Sequence, residues 1–361
     1  MLPRSRSITL LLLGIISSVA QPRLAEGRQL WFPAGDLTDA RAYSPAVTLL
    51  DSRVLVAGGV APDGRPLASA ETFDPATAVW STTGSMLLAR TQHTVTALAD
   101  GRVLVVGGVD RFGSELAECE LYDPQTGLWT ATTSYILGLA SHSAVRLLDG
   151  RVLVVPDLGS PLAYDPTTAT WGTVGSWSFG YREQTLTLLP DGRVLMVGGG
   201  ADGHAYDYLM IYDLALKNWT PGQHMIEARQ GHTATLLPDG RVLIAGGQDA
   251  GVALGRAEIY DPVTNRWSPA GRLHVARAYH TATELANGDV VIAGGESGNR
   301  PINDAEIYRF ATGKWEHGGI TPAITHHTAA LLPDGEVLAI GGLGRSLSAT
   351  SKSETGPPSS K

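Results

Sequence analysis

The sequence predicts an all-β chain in which copies of one four-stranded antiparallel unit are arranged in a ring. The first observation is a tryptophan series in which the steps between neighbours are 42 to 49 residues: Trp31, Trp80, Trp129, Trp171, Trp219, Trp267 and Trp315. The second is a diglycine that begins 26 or 27 residues after six of these tryptophans: Gly58-Gly59, Gly107-Gly108, Gly198-Gly199, Gly246-Gly247, Gly294-Gly295 and Gly341-Gly342. The third unit has Pro156-Asp157 at that place. A period of this size indicates seven structural repeats, one of them degenerate.

Each repeat contains signals for four short strands. In the fifth, His232 to Leu237 and Val242 to Ala245 are apolar runs on either side of Asp239-Gly240, which predicts a hairpin with a two-residue type I′ turn. A variable loop then leads to a third strand that ends in Tyr260-Asp261-Pro262, and the fourth strand carries Trp267. The same Asp-Gly or Asn-Gly turn recurs at Asp100-Gly101, Asp149-Gly150, Asp191-Gly192, Asn287-Gly288 and Asp334-Gly335. Four antiparallel strands per repeat are typical of a propeller blade.

Together, the diglycine after an apolar strand, the Tyr-Asp-Pro turn and the spaced tryptophan resemble the kelch repeat, whose period is about 50 residues. The resemblance extends from Trp31 to Gly342. It implies a seven-bladed kelch-type β-propeller of the kind found in bacterial secreted proteins. It says little about function, because one fold hosts many activities.

Ring closure is expected to join the two ends of the repeat region. Six complete units run from Arg41 to Trp315, and His327 to Gly342 supplies two strands of a seventh. We expect the N-terminal segment around Trp31 to provide the fourth strand, which removes an open edge. Ser346 to Ser351, or the segment before Trp31, is the candidate for the third strand. The predicted domains are a signal peptide at 1–20, the propeller at 21–345 and a disordered tail at 346–361.

The composition excludes some function classes. The chain has 361 residues, 43% of them hydrophobic, and a formal net charge of −8, so it can bury a large core and has no basic surface for nucleic acid. Arg4 and Arg6 precede an apolar run from Ile8 to Ala20, which predicts a cleaved signal, export to the periplasm or medium, and no membrane span in the mature chain. Cys119 is the single cysteine, so no intramolecular disulfide forms. We expect a monomer.

Four repeats carry an arginine and a glutamate at fixed registers, and the other repeats lack both. The pairs are Arg41 with Glu71, Arg90 with Glu120, Arg229 with Glu258, and Arg277 with Glu306. Because the two residues occur together or not at all, we expect structural ion pairs within each blade. The alternative is a basic ring that captures a carboxylate or a phosphate.

A histidine follows this arginine register in five repeats: His93, His142, His232, His280 and His327. Imidazoles on one face can hold a metal ion, but residues that recur around a ring usually serve the repeat, and blades lie too far apart to share one ion. We therefore predict no metal site and no cofactor.

The pair Tyr279-His280 is similar to the copper-binding Tyr-His of the galactose oxidase family. In that family a tyrosine is joined to a cysteine at the start of a first strand, whereas Cys119 falls in a predicted third strand. In that family a C-terminal domain supplies a further histidine, and we expect no such domain in this chain. Tyr279 and His280 are kept as candidate ligand-binding residues.

The fourth repeat has an unusual loop that contains Asp202, His204, Tyr206, Asp207 and Tyr208. Carboxylates, an imidazole and phenols on a loop are suited to a sugar or a cation, so this loop is the second candidate site; ordinary polar loop chemistry is the alternative. No motif of a hydrolase or nucleotide-binding enzyme occurs. We expect a binding module that recognises a protein or a glycan partner through its face loops, with a carbohydrate-acting or copper-dependent oxidase as the alternative.

Overall fold

The computed structural model describes residues 31–175, 182–201, 203–344 and the backbone of 350–356. The predicted signal peptide lies outside the described residues. In chain order the strands are β1 (Phe32–Arg41), β2 (Ala46–Thr48), β3 (Val54–Ala57), β4 (Ala70–Asp74), β5 (Val79–Thr82), β6 (Thr94–Ala97), β7 (Val103–Val106), β8 (Cys119–Asp123), β9 (Leu128–Thr132), β10 (Ser143–Arg146), β11 (Val152–Val155), β12 (Leu162–Asp165), β13 (Thr170–Thr173), β14 (Thr185–Leu188), β15 (Val194–Val197), β16 (Gly200–Ala201), β17 (His204–Ala205), β18 (Leu209–Asp213), β19 (Asn218–Pro221), β20 (Thr233–Leu236), β21 (Val242–Ala245), β22 (Gln248–Asp249), β23 (Val252–Ala253), β24 (Arg256–Asp261), β25 (Arg266–Arg272), β26 (Thr281–Glu284), β27 (Val290–Ala293), β28 (Glu296–Ser297), β29 (Arg300–Pro301), β30 (Ala305–Arg309), β31 (Lys314–Gly319), β32 (Thr328–Leu331), β33 (Val337–Ile340) and β34 (Thr350–Gly356).

Six blades are each built from strands of one repeat, so the protein is an all-β propeller with four-stranded antiparallel blades. Blades 1 to 6 have the strand orders β2-β3-β4-β5, β6-β7-β8-β9, β10-β11-β12-β13, β14-β15-β18-β19, β20-β21-β24-β25 and β26-β27-β30-β31. In each blade the second strand is wholly buried and rich in Val, Leu and Ile. Blades 4, 5 and 6 also carry two-stranded hairpins, β16-β17, β22-β23 and β28-β29.

The expectation of a seven-bladed propeller requires correction, because the described strands form six such blades. A further four-stranded sheet, which we call the composite sheet, has the order β1-β34-β33-β32 and combines strands from both ends of the described chain. Its third strand is β34, which pairs with β33 on one side and with β1 on the other. The strand Thr350–Gly356 falls within the predicted tail and completes hydrogen bonding between two strands that would otherwise present open edges.

The Asp-Gly hairpins form, but with a different turn from the one predicted. In blade 5 the Gly240 N–H donates to Leu237 O at 2.9 Å, and the Leu237 N–H donates to Arg241 O at 2.8 Å. Gly240 has a φ of 83°, whereas Asp239 is not in the left-handed region. A type I′ turn needs positive φ at both central residues, so this is a three-residue loop with glycine at its left-handed position. Asp239 instead accepts a hydrogen bond from the Arg241 backbone N–H.

The recurring tryptophan joins neighbouring blades. In blade 2, Trp129 lies opposite Tyr122 on the adjacent strand, with ring centroids 4.9 Å apart. Its indole N–H donates to Gly84 O in the connection that leaves blade 1, at 2.7 Å. Trp267 and Trp315 make the same type of bond to Gln223 O and Ala270 O. The tryptophan period therefore reflects one packing contact for each blade.

The first glycine of each diglycine is required by a close approach of the next blade. A Cβ at Gly246 would lie 2.5 Å from Arg277 O and 2.7 Å from the His280 ring, and the residue has a φ of 60°. A Cβ at Gly198 would meet Arg229 O and His232 in the same way. Only glycine combines this conformation with this contact. The diglycine thus packs the histidine of the next blade against the backbone.

No helix among the described residues has the length and apolar character of a membrane-spanning segment.

Candidate functional site

Seven residues, which we call the axial mouth, stand at equivalent positions just before the innermost strands, and all have positive φ of 52–61°: Tyr43, Gln92, Ser141, Glu183, Gly231, Tyr279 and His326. Backbone hydrogen bonds link neighbours around this ring. Among them, the Tyr279 N–H donates to Gly231 O, and the Tyr43 N–H donates to His326 O at 3.1 Å. The backbone of every blade and of the composite sheet thus delivers one residue to the axis.

Three aromatic rings of the axial mouth are stacked side by side. The His326 ring lies 4.4 Å from the Tyr279 ring at an interplanar angle of 24°, and 4.3 Å from the Tyr43 ring at 42°. Burial lowers the pKa of His326 to about 4. The imidazole is therefore neutral at pH 7, and the stack presents three uncharged rings to the axis.

Tyr279 reaches across blade 5 to a carboxylate of blade 4. Its hydroxyl donates to Glu183, 3.0 Å from Oε2 and 3.1 Å from Oε1, and accepts a hydrogen bond from Gln248 Nε2 at 2.7 Å. The position between them on the ring is Gly231, where a Cβ would lie 2.8 Å from the Tyr279 ring. The missing side chain at Gly231 leaves the space that the phenol occupies.

The negative charge of a second carboxylate, Glu296, affects the pKa values of residues in the axial mouth. Burial raises the pKa of Glu183, and the negative charge of Glu296 raises it further. Burial also raises the pKa of Glu296, while burial and the charges of both glutamates raise that of Tyr43. The cation next to Glu183 in sequence, Arg182, forms an ion pair of 2.9 Å with Asp157. The axial mouth and the adjacent Glu296 therefore combine two half-buried carboxylates with neutral aromatic rings.

Beside the axial mouth the innermost strands surround a cavity of about 380 Å³. Its lining includes Thr94, Ser143, Gln184, Thr185 and Thr233. Gln184 stands at the position that holds histidine in other blades, and it is 4% exposed. Its Nε2 donates a hydrogen bond to Val155 O. Its Oε1 has no hydrogen-bond partner among the described residues. The cavity wall thus offers a buried acceptor to a ligand or to water.

The five predicted histidines are buried between blades and do not meet at a common point. Nε2 of four of them lies within 3.1 Å of a threonine hydroxyl in the preceding blade, in the pairs His142–Thr94, His232–Thr185, His280–Thr233 and His327–Thr281. His93 has no such partner among the described residues, because Pro45 stands at the threonine register. Burial lowers the pKa of His232 to about 3, so these rings are neutral.

The described residues do not fit a copper centre of the type that Tyr279-His280 resembles. Tyr279 belongs to the axial mouth, but the His280 ring is buried, and its Nε2 is hydrogen-bonded to the Thr233 hydroxyl. Burial raises the pKa of Cys119 to about 11, and its thiol donates to Ala117 O in blade 2, away from Tyr279. Within the described ranges, no group of three or more His, Cys, Asp or Glu is arranged to hold a metal ion.

The structure brings each predicted arginine together with the glutamate of its own blade. The N–O distances are 2.8 Å for Arg41–Glu71, 2.6 Å for Arg90–Glu120, 2.6 Å for Arg229–Glu258 and 2.7 Å for Arg277–Glu306, and all eight side chains are buried. Each pair also satisfies the backbone: Glu258 accepts N–H bonds from Ile226 and Glu227, and Arg229 donates to Gly246 O. These guanidinium groups are buried and form their salt bridges inside the blades.

The fourth-blade loop forms a separate cluster on the same face. Asp202 lies outside the described residues, and His204 is exposed in β17. Tyr206 stacks on Tyr208 with centroids 5.4 Å apart, and Asp207 is 2.9 Å from Nδ1 of His224. Tyr208 also packs edge-on against the His224 ring, with centroids 5.1 Å apart, so His224 is at the centre of this cluster.

Sequence reasoning missed Glu183, Glu296, Gln248 and His326 as partners of Tyr279. One signal was available: all seven axial-mouth residues lie two positions after the arginine register, and this position holds Tyr, Glu or His in four repeats. Their side-chain contacts depend on Gly231, whose effect only the fold reveals.

Comparisons with known proteins agree with this architecture. The sequence matches the KLHDC2/KLHL20/DRC7 Kelch-repeats domain over residues 191–353 and the Kelch motif over residues 41–87 and 89–134. No curated protein matches the sequence. Among solved structures, a fungal alcohol oxidase of the AA5 family, in complex with copper, superposes with a TM-score of 0.73 at 17% identity, covering 91% of this chain and 76% of that chain. At this identity the likeness concerns the fold alone.

Proposed function

Because the chain is a kelch-repeat β-propeller protein, we propose that it works as a binding module that recognises a polypeptide or a glycan through the face bearing the axial mouth. The observation that carries this proposal is the cluster of Tyr43, His326, Tyr279 and Glu183, which draws side chains from blades 1, 4 and 6 and from the composite sheet. Half-buried aromatic and carboxylate groups that converge on a rigid scaffold are typical of recognition sites.

The hairpins of blades 4 to 6 support this choice of face. In antiparallel blades the connections between second and third strands lie at the same end as the starts of the first strands. The hairpins β16-β17, β22-β23 and β28-β29 therefore rise around the axial mouth, and backbone bonds such as Gln230 to Gln248 tie them to it. They enlarge the surface available to a partner.

The oxidase alternative finds less support. The copper-bound AA5 structure shares the fold, but His280 is buried against Thr233 and the described residues do not assemble a ligand set around Tyr279.

The proposal also covers how the ring is closed and where the protein acts. The composite sheet acts as a seventh blade: its innermost strand, β32, lies beside those of blades 1 and 6, so the inner strands form an unbroken circle. The mature protein is exported as a monomer, as the charged and then apolar N-terminal sequence suggests.

The test is a binding screen on peptide and glycan arrays with three proteins. These are the wild type, a double variant of the recognition face (Tyr43→Ala, Tyr279→Ala), and a double variant of the opposite face (Asp100→Ala, Arg102→Ala) that removes an exposed ion pair. Binding that only the first variant abolishes supports the proposal. Binding that survives in it, or that both variants reduce equally, contradicts it, as does an absence of wild-type binding on either array.

A further inference from the structure

Two acceptor groups near the axis have free hydrogen-bonding capacity. Among the described residues, the Glu183 carboxylate accepts from one donor, the Tyr279 hydroxyl, which contacts both of its oxygens. Gln184 Oε1 is buried in the adjacent cavity without a partner among the described residues. The orientation of this amide is fixed because its Nε2 already donates to Val155 O. A ligand that matches these groups must bring donors rather than acceptors.

The charges at the same place favour a cation. Glu296 lies beside the axial mouth, because its backbone pairs with that of Ala278, the residue before Tyr279, and its charge acts on Glu183 and Tyr43. The arginines of the Arg–Glu pairs form their salt bridges inside the blades. The charge of Arg182 lowers the pKa of Glu183, but Arg182 also forms an ion pair with Asp157. Since the neutral His326 adds no positive charge, the described charged groups around the axial mouth are negative in sum.

The aromatic stack determines the kind of cation. Faces of tyrosine and other neutral rings attract ammonium and guanidinium groups, which carry their charge on a weakly hydrated organic body. His326 packs between Tyr43 and Tyr279, so the two tyrosines are the outer rings of a three-ring wall, and each keeps one face that His326 does not cover. A small, strongly hydrated metal ion would gain nothing from that wall, and the described residues provide no cluster of three ligating side chains.

From this geometry we propose that the axial mouth binds an alkylammonium or guanidinium group, held by Glu183 and Glu296 against the Tyr43–His326–Tyr279 stack. The remainder of the ligand reaches toward the cavity at Gln184. Such a group can belong to a lysine or arginine side chain of a polypeptide or to a free amine. This inference rests on the proposed function, because it assumes that recognition occurs at the face that bears the axial mouth.

The experiment follows the tyrosine ring resonances of the full chain by NMR during titration with four small probes. Butylammonium and butylguanidinium carry the expected groups, butyrate carries the opposite charge, and an acetylated Gly-Lys-Gly amide presents the cation on a peptide. We expect the two cations to shift the Tyr43 and Tyr279 resonances with saturation and butyrate to have no effect. Tighter binding of the peptide than of butylammonium identifies a polypeptide source; equal or weaker binding identifies a free amine.

Variants that remove one charge distinguish binding at this site from general electrostatic attraction between a cation and an acidic protein. Glu183→Gln and Glu296→Gln lie on different blades, so one remains informative if the other unfolds. Each is expected to weaken cation binding by at least about tenfold, since a hydrogen bond to a charged group contributes 1.5–3 kcal/mol. The matched control is Glu115→Gln, an exposed glutamate of blade 2 that makes the same change in net charge.

Three outcomes would overturn the inference: no saturable shift with either cation, butyrate binding as tight as butylammonium, or an equal loss in the Glu115 control. A failure of this kind is distinct from failure of the proposed function. If a partner found on the arrays still requires Tyr279 but is indifferent to both glutamate variants, recognition at this face stands and the cation site does not.

Discussion

The Tyr279 hydroxyl donates a hydrogen bond to Glu183, a residue 96 positions earlier in the chain and two blades away around the ring. Between them lies Gly231, whose missing side chain provides the path. This bond links the carboxylate of one blade to the aromatic stack of another. Its first consequence concerns the ionisation of the phenol.

Glu183→Gln should lower the pKa of Tyr279. Burial raises that pKa above the ordinary 10.0, and the charge and hydrogen bond of Glu183 raise it further. Removing the charge leaves the effects of burial and of Glu296, which raise the pKa, and the hydrogen bond from Gln248, which lowers it, so the pKa of Tyr279 should fall. The shift can be followed by NMR titration of the Tyr279 ring, with Glu115→Gln as the control. An unchanged Tyr279 pKa would contradict the assigned contact.

The Arg229–Glu258 pair should be strongly coupled. Truncating one partner, as in Arg229→Ala or Glu258→Ala, leaves a buried charge alone and is expected to lower the free energy of unfolding by about 3–5 kcal/mol. The double variant should lose much less than the sum of the two. A double-mutant cycle in denaturant measures the coupling, and a value below about 0.5 kcal/mol would contradict the pairing.

Blade 3 provides a natural comparison for this cycle, because it has buried Leu139 and Leu162 at the same two registers. The double variant Arg229→Leu, Glu258→Leu should therefore be more stable than either single leucine variant. It should still be less stable than the wild type, since Ile226 N–H and Gly246 O lose their partners. A double leucine variant no better than the singles would argue against a purely structural pair.

Gly246→Ala should destabilise the protein more than Gly251→Ala. Both glycines have positive φ, at 60° and 78°, but a Cβ at Gly246 would lie 2.5 Å from a backbone oxygen, whereas one at Gly251 meets nothing within 4 Å. The Gly251 variant isolates the conformational penalty of about 1 kcal/mol. We expect a loss of about 3 kcal/mol or more for Gly246→Ala by denaturant unfolding. Equal losses would show that the contact with blade 6 is unimportant.

Acid should unfold the protein partly through its buried histidines. Burial lowers the pKa of His232 from 6.5 to about 3 in the folded state, so its stabilising contribution is present above pH 6.5 and is lost as the pH falls toward 3. The variant His232→Gln, which copies Gln184 of blade 4, removes one titrating group. The pH slope of the unfolding free energy near pH 5 should decrease by up to about 1.4 kcal/mol per pH unit. An unchanged slope would contradict the burial of this ring.

Removal of β34 should weaken ring closure. A chain that ends at Gly344 loses the strand between β1 and β33, while a control that ends at Gly356 keeps it. Two open edges favour self-association. We expect the shorter chain to melt about 5 °C or more below the control in calorimetry and to aggregate in light scattering. Identical behaviour of the two chains would argue against a closing role for β34.

The repeat made most of the architecture predictable. Trp129 and Gly246 recur because each makes a contact between blades that is repeated around most of the ring, so their period predicts four-stranded blades. The composite sheet was only partly predictable: the role of the segment after Trp31 follows from the count of strands, but Thr350–Gly356 has the composition of a tail and gains its structure from two partner strands. Local propensity does not report such long-range pairing.

The candidate site was less predictable than the fold, for a physical reason. Tyr279 stood out through its neighbour His280, yet the fold sends the two side chains to different places, the phenol to the axis and the imidazole between blades. Glu183 and His326 were not predicted, because each, taken alone, is an ordinary polar residue in its own repeat. Their proximity results from the positive φ that all mouth positions share, and no pattern within a single repeat encodes it.

The composite sheet also constrains the order of assembly. Among the described strands β1 pairs only with β34, and more than 300 residues separate Arg41 from Thr350, its partner in that pairing. During synthesis the first strand must therefore wait until all six blades have emerged. Closure is then a single late event with a large loop entropy, so we expect it to set the folding rate.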